Sequence, residues 1–280
     1  MATLRRETAQ TRLTVALVRQ LIRKDLKVKY QGSSLGFLWS LANPLLQLLV
    51  YTLVFAVVFK SDVPMFGFYL MSGLLVWNFF AMAVGGSTGS ILGNAGLVKK
   101  VPFPHSALPL STIGFAGVQV LLQLGVFLVV LIAFGWAPWR PELLLLVPAI
   151  VVLLVLTVGL SLFVSASTVR MRDTQHLVDV VLFAWMWLCP IIYQPTLVHD
   201  RLGSWQWVYY LNPMAGVVTS FQRALYGMTH SPTSGKLVLA SDSAIFYLQA
   251  LGIGLIVSSL ILALGVWQFR RLSQDFAEEL

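Results

Sequence analysis

The chain has 280 residues, of which 58% are hydrophobic and only 11% charged, with a mean hydropathy of +0.81. Soluble domains carry about 25% charged residues, so this composition excludes an ordinary soluble enzyme or binding domain and points to a lipid-facing surface. The net charge of +8 would suit a nucleic-acid binder, but the placement of the basic residues argues against one.

Thr11 to Tyr30 reads as an amphipathic helix. Leu17, Val18, Leu21, Ile22 and Leu26 fall on one face, and Arg12, Arg19, Arg23 and Lys27 on the other. A basic face opposite an apolar one suits a helix lying in a membrane interface. Gln31, Gly32, Ser33 and Ser34 interrupt it. Six apolar segments follow: Leu38 to Phe59, Phe66 to Gly85, Leu108 to Phe134, Leu143 to Ala166, Leu177 to Tyr193 and Ile245 to Phe269. About 20 apolar residues carry a helix across a bilayer core, and continuous runs favour helices over the alternating strands of a barrel. The expected fold is an all-α polytopic membrane protein with six transmembrane helices. Residues 1–37 form a cytoplasmic lead, 38–269 the membrane domain and 270–280 a cytoplasmic tail.

Asn43-Pro44 should kink the first span, because proline removes a backbone donor. Gly85, Gly89 and Gly93 allow either a close helix approach or a simple exit from the second span. The loop from Asn94 through Leu97, Val98, Lys99 and Lys100 to Phe103-Pro104 fits a short helix presented to a partner, or an ordinary basic loop. Gln119 and Gln123 share one face of the third span. Arg170, Arg172, Asp173 and His176 lack the nucleophile and third group of a catalytic set, so Asp173 is read as a helix-entry ion pair. The external segment 194–242 is too long for a structureless loop. Within it, Asn212 is a cap and Pro213 a first-turn residue. The stripe Met214, Val217, Val218, Phe221, Leu225 and Met228 then predicts a helix on, or dipping into, the outer leaflet. Gly227 to Gly235 is expected to be a flexible outer loop.

Fourteen of the 19 basic residues cluster on one side of this arrangement: Arg5, Arg6, Arg12, Arg19, Arg23, Lys24, Lys27, Lys29, Lys99, Lys100, Arg170, Arg172, Arg270 and Arg271. The excess of Lys and Arg puts that side, and both termini, in the cytoplasm. The other side holds Lys60, Arg140, Arg201, Arg223 and Lys236, and its acids, Asp62, Glu142, Asp200 and Asp242, are few and scattered. The centre of each span lacks ionisable residues, which argues against a proton- or sodium-coupled carrier. The sequence has no G-x-x-x-x-G-K-[ST] phosphate loop and no H-E-x-x-H zinc signature. Its lone Cys189 cannot form an intrachain disulfide. The chain should therefore neither hydrolyse ATP nor hold a metal or cofactor itself. The aromatics Trp39, Tyr51, Trp77, Phe80, Trp185 and Tyr193 fit either an interfacial belt or, with Gln119 and Gln123, the lining of a passage.

Several blocks taken together resemble one family. Lys24-Asp25-Leu26-Lys27-Val28-Lys29-Tyr30-Gln31-Gly32-Ser33-Ser34-Leu35-Gly36-Phe37-Leu38-Trp39, running on to Asn43-Pro44-Leu45, resembles the entry motif of type-2 ABC permeases that export lipid-linked polysaccharides such as O-antigen and teichoic acid. Gly73-Leu74-Leu75-Val76-Trp77-Asn78-Phe79-Phe80, Asn94 with Leu97-Val98-Lys99-Lys100, Phe103-Pro104, Arg172-Asp173 and Asn212-Pro213-Met214 extend the likeness in order along the chain. The resemblance implies a homodimeric channel served by two ATP-binding cassette subunits, which bind the ATP and Mg, in the bacterial inner membrane. It implies a coupling helix at Asn94, Leu97, Val98, Lys99 and Lys100, and an external gate helix with Asn212, Pro213, Met214, Phe221 and Arg223. It also implies a polyprenyl-diphosphate-linked glycan, in some relatives a galactan, whose diphosphate would meet Arg19, Arg23, Lys27 and Lys29. A permease of the same build for a small drug or lipid is the alternative. A membrane glycosyl or acyl transferase is a further one, although the clustered acids or histidines it needs are missing.

Overall fold

The computed structural model describes residues 2–32, 38–55, 61–100, 103–136 and 139–280. Side chains before Thr14, those of 33–41 (Trp39 among them) and those of Asn43 and Ala277 lie outside the described set. The described chain is mostly helical, with one isolated antiparallel bridge between His230 and Leu237. In chain order the α-helices are α1 (Ala2–Tyr30), α2 (Leu38–Leu53), α3 (Phe66–Thr88), α4 (Ala95–Lys100), α5 (Ala107–Ala133), α6 (Leu146–Arg170), α7 (Thr174–Trp187), α8 (Thr196–Leu202), α9 (Gln206–Tyr209), α10 (Pro213–Phe221), α11 (Ala244–Leu272) and α12 (Phe276–Glu279). A 3₁₀ turn, Pro141–Leu145, leads into α6, and a π-helical turn, Gln222–Tyr226, extends α10.

Among the described residues four helices are long and apolar enough to cross a membrane: α3, α5, α6 with its 3₁₀ lead, and α11. The fifth expected segment is helical from Thr174, earlier than Leu177, but only to Trp187. Cys189-Pro190 then turns the chain, and Pro190 has no N–H with which to continue a helix. In the first segment the apolar helix runs through Pro44 to Leu53, and 56–60 lie outside the described residues.

α3 is the axis of the fold. In its most apolar stretch 83% of residues are buried, against 22% in α5, 39% in α6 and 28% in α11. α2, α5, α6, α7 and α10 pack round α3, while α11 packs on α6 and α10; α5, α6 and α11 turn apolar faces outward, as Leu121, Val129, Val147, Val151, Ile256 and Leu260 do. The closest crossing is α6 on α11, where Gly159 and Gly265 meet backbone to backbone and a Cβ on either would overlap the facing chain. Small residues allow such approach between membrane helices. The triplet Gly85, Gly89, Gly93 makes no such crossing. A Cβ on Gly85 would meet only Leu182, at 3.8 Å, and on Gly89 or Gly93 nothing within 4 Å, because α3 has ended at Thr88.

Candidate functional site: a short exposed helix and a buried return helix

At one end of the bundle, α4 follows α3 through a 3₁₀ turn, Leu92–Asn94. Its six residues bury a single side chain, Val98. Leu97 is 38% exposed, and Lys99 and Lys100 are exposed. Asn94 anchors the entry by donating to Ser90 O at 2.8 Å and accepting from Lys24 Nζ at 3.5 Å. One apolar residue inward and a hydrophobic-plus-basic ridge outward make α4 a knob on a fixed base.

The two faces of α1 follow the sequence pattern. Leu17, Val18, Leu21, Ile22 and Leu26 are partly covered, while Arg19, Arg23 and Lys27 are exposed. Ile22 lies against Gly114 of α5, and Leu21 joins the cluster beneath α4. Lys29 departs from its basic neighbours. Its ammonium donates to Gln119 Oε1 at 2.9 Å and lies 5.4 Å from the centre of the Phe115 ring. The Gln119 amide also donates to the Tyr30 hydroxyl at 2.9 Å. Gln119 is thus a buried anchor for the end of α1, and one turn on, Gln123 Oε1 is buried with no hydrogen-bond partner among the described residues.

At the far end, α10 is not a surface helix: all nine of its residues are buried. Gly254 faces Pro213, and Gly216 packs on Ala250. Gly254 lies well inside α11, which begins at Ala244; at about 1.5 Å per residue the offset is about 15 Å. Arg223, by contrast, reaches Asp242 O, just before α11 begins. The segment therefore starts about a third of the way along α11 and climbs back to the far end. Asn212 holds its lower end. Oδ1 caps Met214 N at 3.1 Å and accepts from Trp185 Nε1 at 2.9 Å, while Nδ2 donates to Leu188 O. The Asn-Pro start expected from sequence is present, with the added task of tying α10 to the end of α7.

The upper end is latched. Arg223 donates to Glu142 Oε1 at 2.9 Å and to Gly227 O at 3.1 Å, and it is only 12% exposed. Trp136 Nε1 donates to Tyr226 O at 2.9 Å, and its ring stacks on Tyr226 with centroids 5.5 Å apart. Tyr226 Oη donates to Pro64 O at 2.7 Å, and Tyr69 Oη donates to Tyr193 O at 2.8 Å. Nearby, Tyr193 and Tyr209 share a 3.0 Å hydrogen bond, and His199 meets Tyr210. Burial holds His199 below the usual histidine range. The 227–235 loop, expected to be flexible, is stapled through Ser231 and Ser234 to Asp62. Two acids that look scattered in sequence, Asp62 and Glu142, are thus latch partners.

The other sequence candidates are dispersed. Trp77 and Phe80 are buried in the core, and Phe80 packs edge-on against Trp185 with centroids 5.3 Å apart. Tyr51, Trp185, Tyr193 and Gln123 keep partial exposure. Met214 is fully buried and Phe221 nearly so. Asp173 sits at the entry to α7 as expected, but among the described residues it forms no ion pair. The described residues hold no group of His, Cys, Asp and Glu fit for a metal.

A family model described as ABC-2 type transporter matches residues 16–226. The chain is 34% identical over 231 residues to the O-antigen export system permease protein RfbA of Myxococcus xanthus, covering 82% of this chain and 87% of that protein. It is 32% identical over 202 residues to a protein of the same name from Klebsiella pneumoniae, covering 71% and 76%. With the polysialic acid transport protein KpsM of Escherichia coli it shares 24% identity over 215 residues, covering 74% and 80%.

Proposed function

This chain belongs to the ABC-2 type transporter family, and from that premise we propose that it is the permease subunit of a bacterial inner-membrane polysaccharide exporter whose ATP is hydrolysed by a separate subunit. The relatives' roles in O-antigen and polysialic acid transport support the cargo class. The observation that carries the mechanism is α4: a six-residue helix with Val98 seated on the bundle and Leu97, Lys99 and Lys100 turned out. That knob suits a groove on the ATP-binding subunit, which would bind the ATP and Mg.

In this reading α2 and α7 complete six spans, the α4 end and both termini are cytoplasmic, and two copies form the conduit. α2 exposes Leu45, Leu46, Leu49, Val50 and Leu53, and α7 exposes Val180, Val181, Phe183 and Trp187. The apolar faces of α5, α6 and α11 would turn to lipid, while these would meet a second copy. Movement of α4 would separate them. Tyr51, Trp185, Tyr193 and Gln123 would then line the path, offering ring faces on which sugar C–H surfaces slide. The returning α10 forms the external gate. Arg19, Arg23 and Lys27 on the open face of α1 would draw in the diphosphate of a lipid-linked glycan, with Lys29 beside them. The test is the triple variant Leu97→Ala, Lys99→Ala, Lys100→Ala, assayed for surface glycan. Export should fall to background while the protein remains in the membrane; normal export would refute the coupling role.

A further inference from the structure

We infer that α12 is a second docking element for the ATP-binding subunit and that Phe276 is a positioning residue holding α4 in place for it. The inference rests on the partner proposed above. The six residues of α4 are less than two helical turns, too few to be stable alone, so α4 depends on what lies beneath it. That support is a cluster separate from the main core, joining Val98 to Ile91, Leu108, Leu162, Phe269 and Phe276.

Phe276 has no exposed surface. Its ring meets Phe269 edge-on, with centroids 5.6 Å apart at 84°, and lies 5.8 Å from the His105 ring. Burial holds His105 below the usual histidine range, so an uncharged ring faces Phe276 at neutral pH. α12 itself packs against both α4 and α6. Phe276 therefore wedges between the base of α4 and the end of α11, and a push on α4 passes through it into the long helices.

The same small surface carries both signs of charge. Lys99 and Lys100 are exposed on α4, and Asp275, Glu278 and Glu279 are exposed at α12. Among the described residues none of these five is in an ion pair. A bilayer with anionic headgroups would attract the lysines but repel the three carboxylates. The fitting occupant is a protein surface with acids opposite Lys99 and Lys100, bases opposite Glu278 and Glu279, and an apolar socket for Leu97. Such complementarity sets register and encounter rate.

The experiment uses the complex recovered when the full-length chain co-purifies with its ATP-binding subunit, reconstituted in vesicles. Glu278→Lys with Glu279→Lys should weaken that association about tenfold, most strongly at low salt. Phe276→Ala should leave the complex assembled and hydrolysing ATP but lower glycan moved per ATP about fivefold, and Phe276→Leu, which refills the wedge, should restore the ratio. Unchanged association in the charge-reversed variant would overturn the docking role. An unchanged transport ratio in Phe276→Ala, or no recovery in Phe276→Leu, would overturn the positioning role. Failure of the unmodified chain to retain any ATP-binding subunit would instead overturn the proposed function, and this inference with it.

Discussion

The two ends of the bundle are built in opposite ways. At the far end, contacts join residues remote in sequence: Arg223 to Glu142, Tyr226 to Pro64, Trp136 to Tyr226, and Ser231 and Ser234 to Asp62. At the α4 end, a short helix rests on one valine, one small cluster and the Lys24–Asn94 contact. Its two lysines face outward, in no ion pair among the described residues. The far end is cross-linked by side-chain contacts, whereas the α4 end is lightly held and is the surface we propose for the ATP-binding subunit. Substitutions at the two ends should therefore separate stability from transport.

The largest effect expected on transport alone is that of the Leu97, Lys99, Lys100 triple variant, which should abolish export while the unfolding midpoint in detergent stays within error of the parent. A large midpoint shift would blur the contrast, since these side chains contact little of the fold. On the stability side, Gly265→Ala should cost roughly 1–3 kcal/mol, because its methyl must displace the Gly159 backbone; the readout is the same midpoint. Glu142→Gln leaves the part-buried Arg223 guanidinium without its carboxylate, at a cost of roughly 1–3 kcal/mol. By loosening the proposed gate it should also raise leakage of a small dye from vesicles. The smallest effect belongs to Trp136→Phe, which keeps most of the ring stacking but loses the bond to Tyr226 O, worth about 1 kcal/mol. If Glu142→Gln and Trp136→Phe left both stability and leakage untouched, the far end would not be the locked one.

What was legible in the sequence follows the same division. Local patterns are short-range: the two faces of α1, the apolar runs of α3, α5, α6 and α11, and the Asn212-Pro213 start of α10 all come from residues within a few turns of one another. The α4 knob was visible as a block, but as one of two readings until the family resemblance favoured it. Pairwise closures across long separations were not legible. Nothing near Gly159 marks it as the seat of Gly265, and nothing near Arg223 names Glu142, 81 residues away. The stripe from Met214 to Met228 predicts a helix but not that α10 is buried on every side. Helical periodicity records how much of a surface is apolar, and α10 meets α3, α6 and α11 all round. Lys29 shows the converse, since composition places it among the basic residues of α1 and only geometry turns it onto Gln119. Phe276, in a short polar stretch, gives no periodic signal, and its burial depends on partners from three other helices.

The central claim is that the chain is a passive half of a conduit, moved through α4 by an ATP-hydrolysing partner. The direct measurement is ATP hydrolysis and glycan entry in sealed vesicles holding this chain alone, and then this chain with its ATP-binding subunit. The account predicts neither activity in the first case and both in the second, with glycan entry lost when Leu97, Lys99 and Lys100 are replaced. Hydrolysis or glycan entry by the chain alone would contradict it.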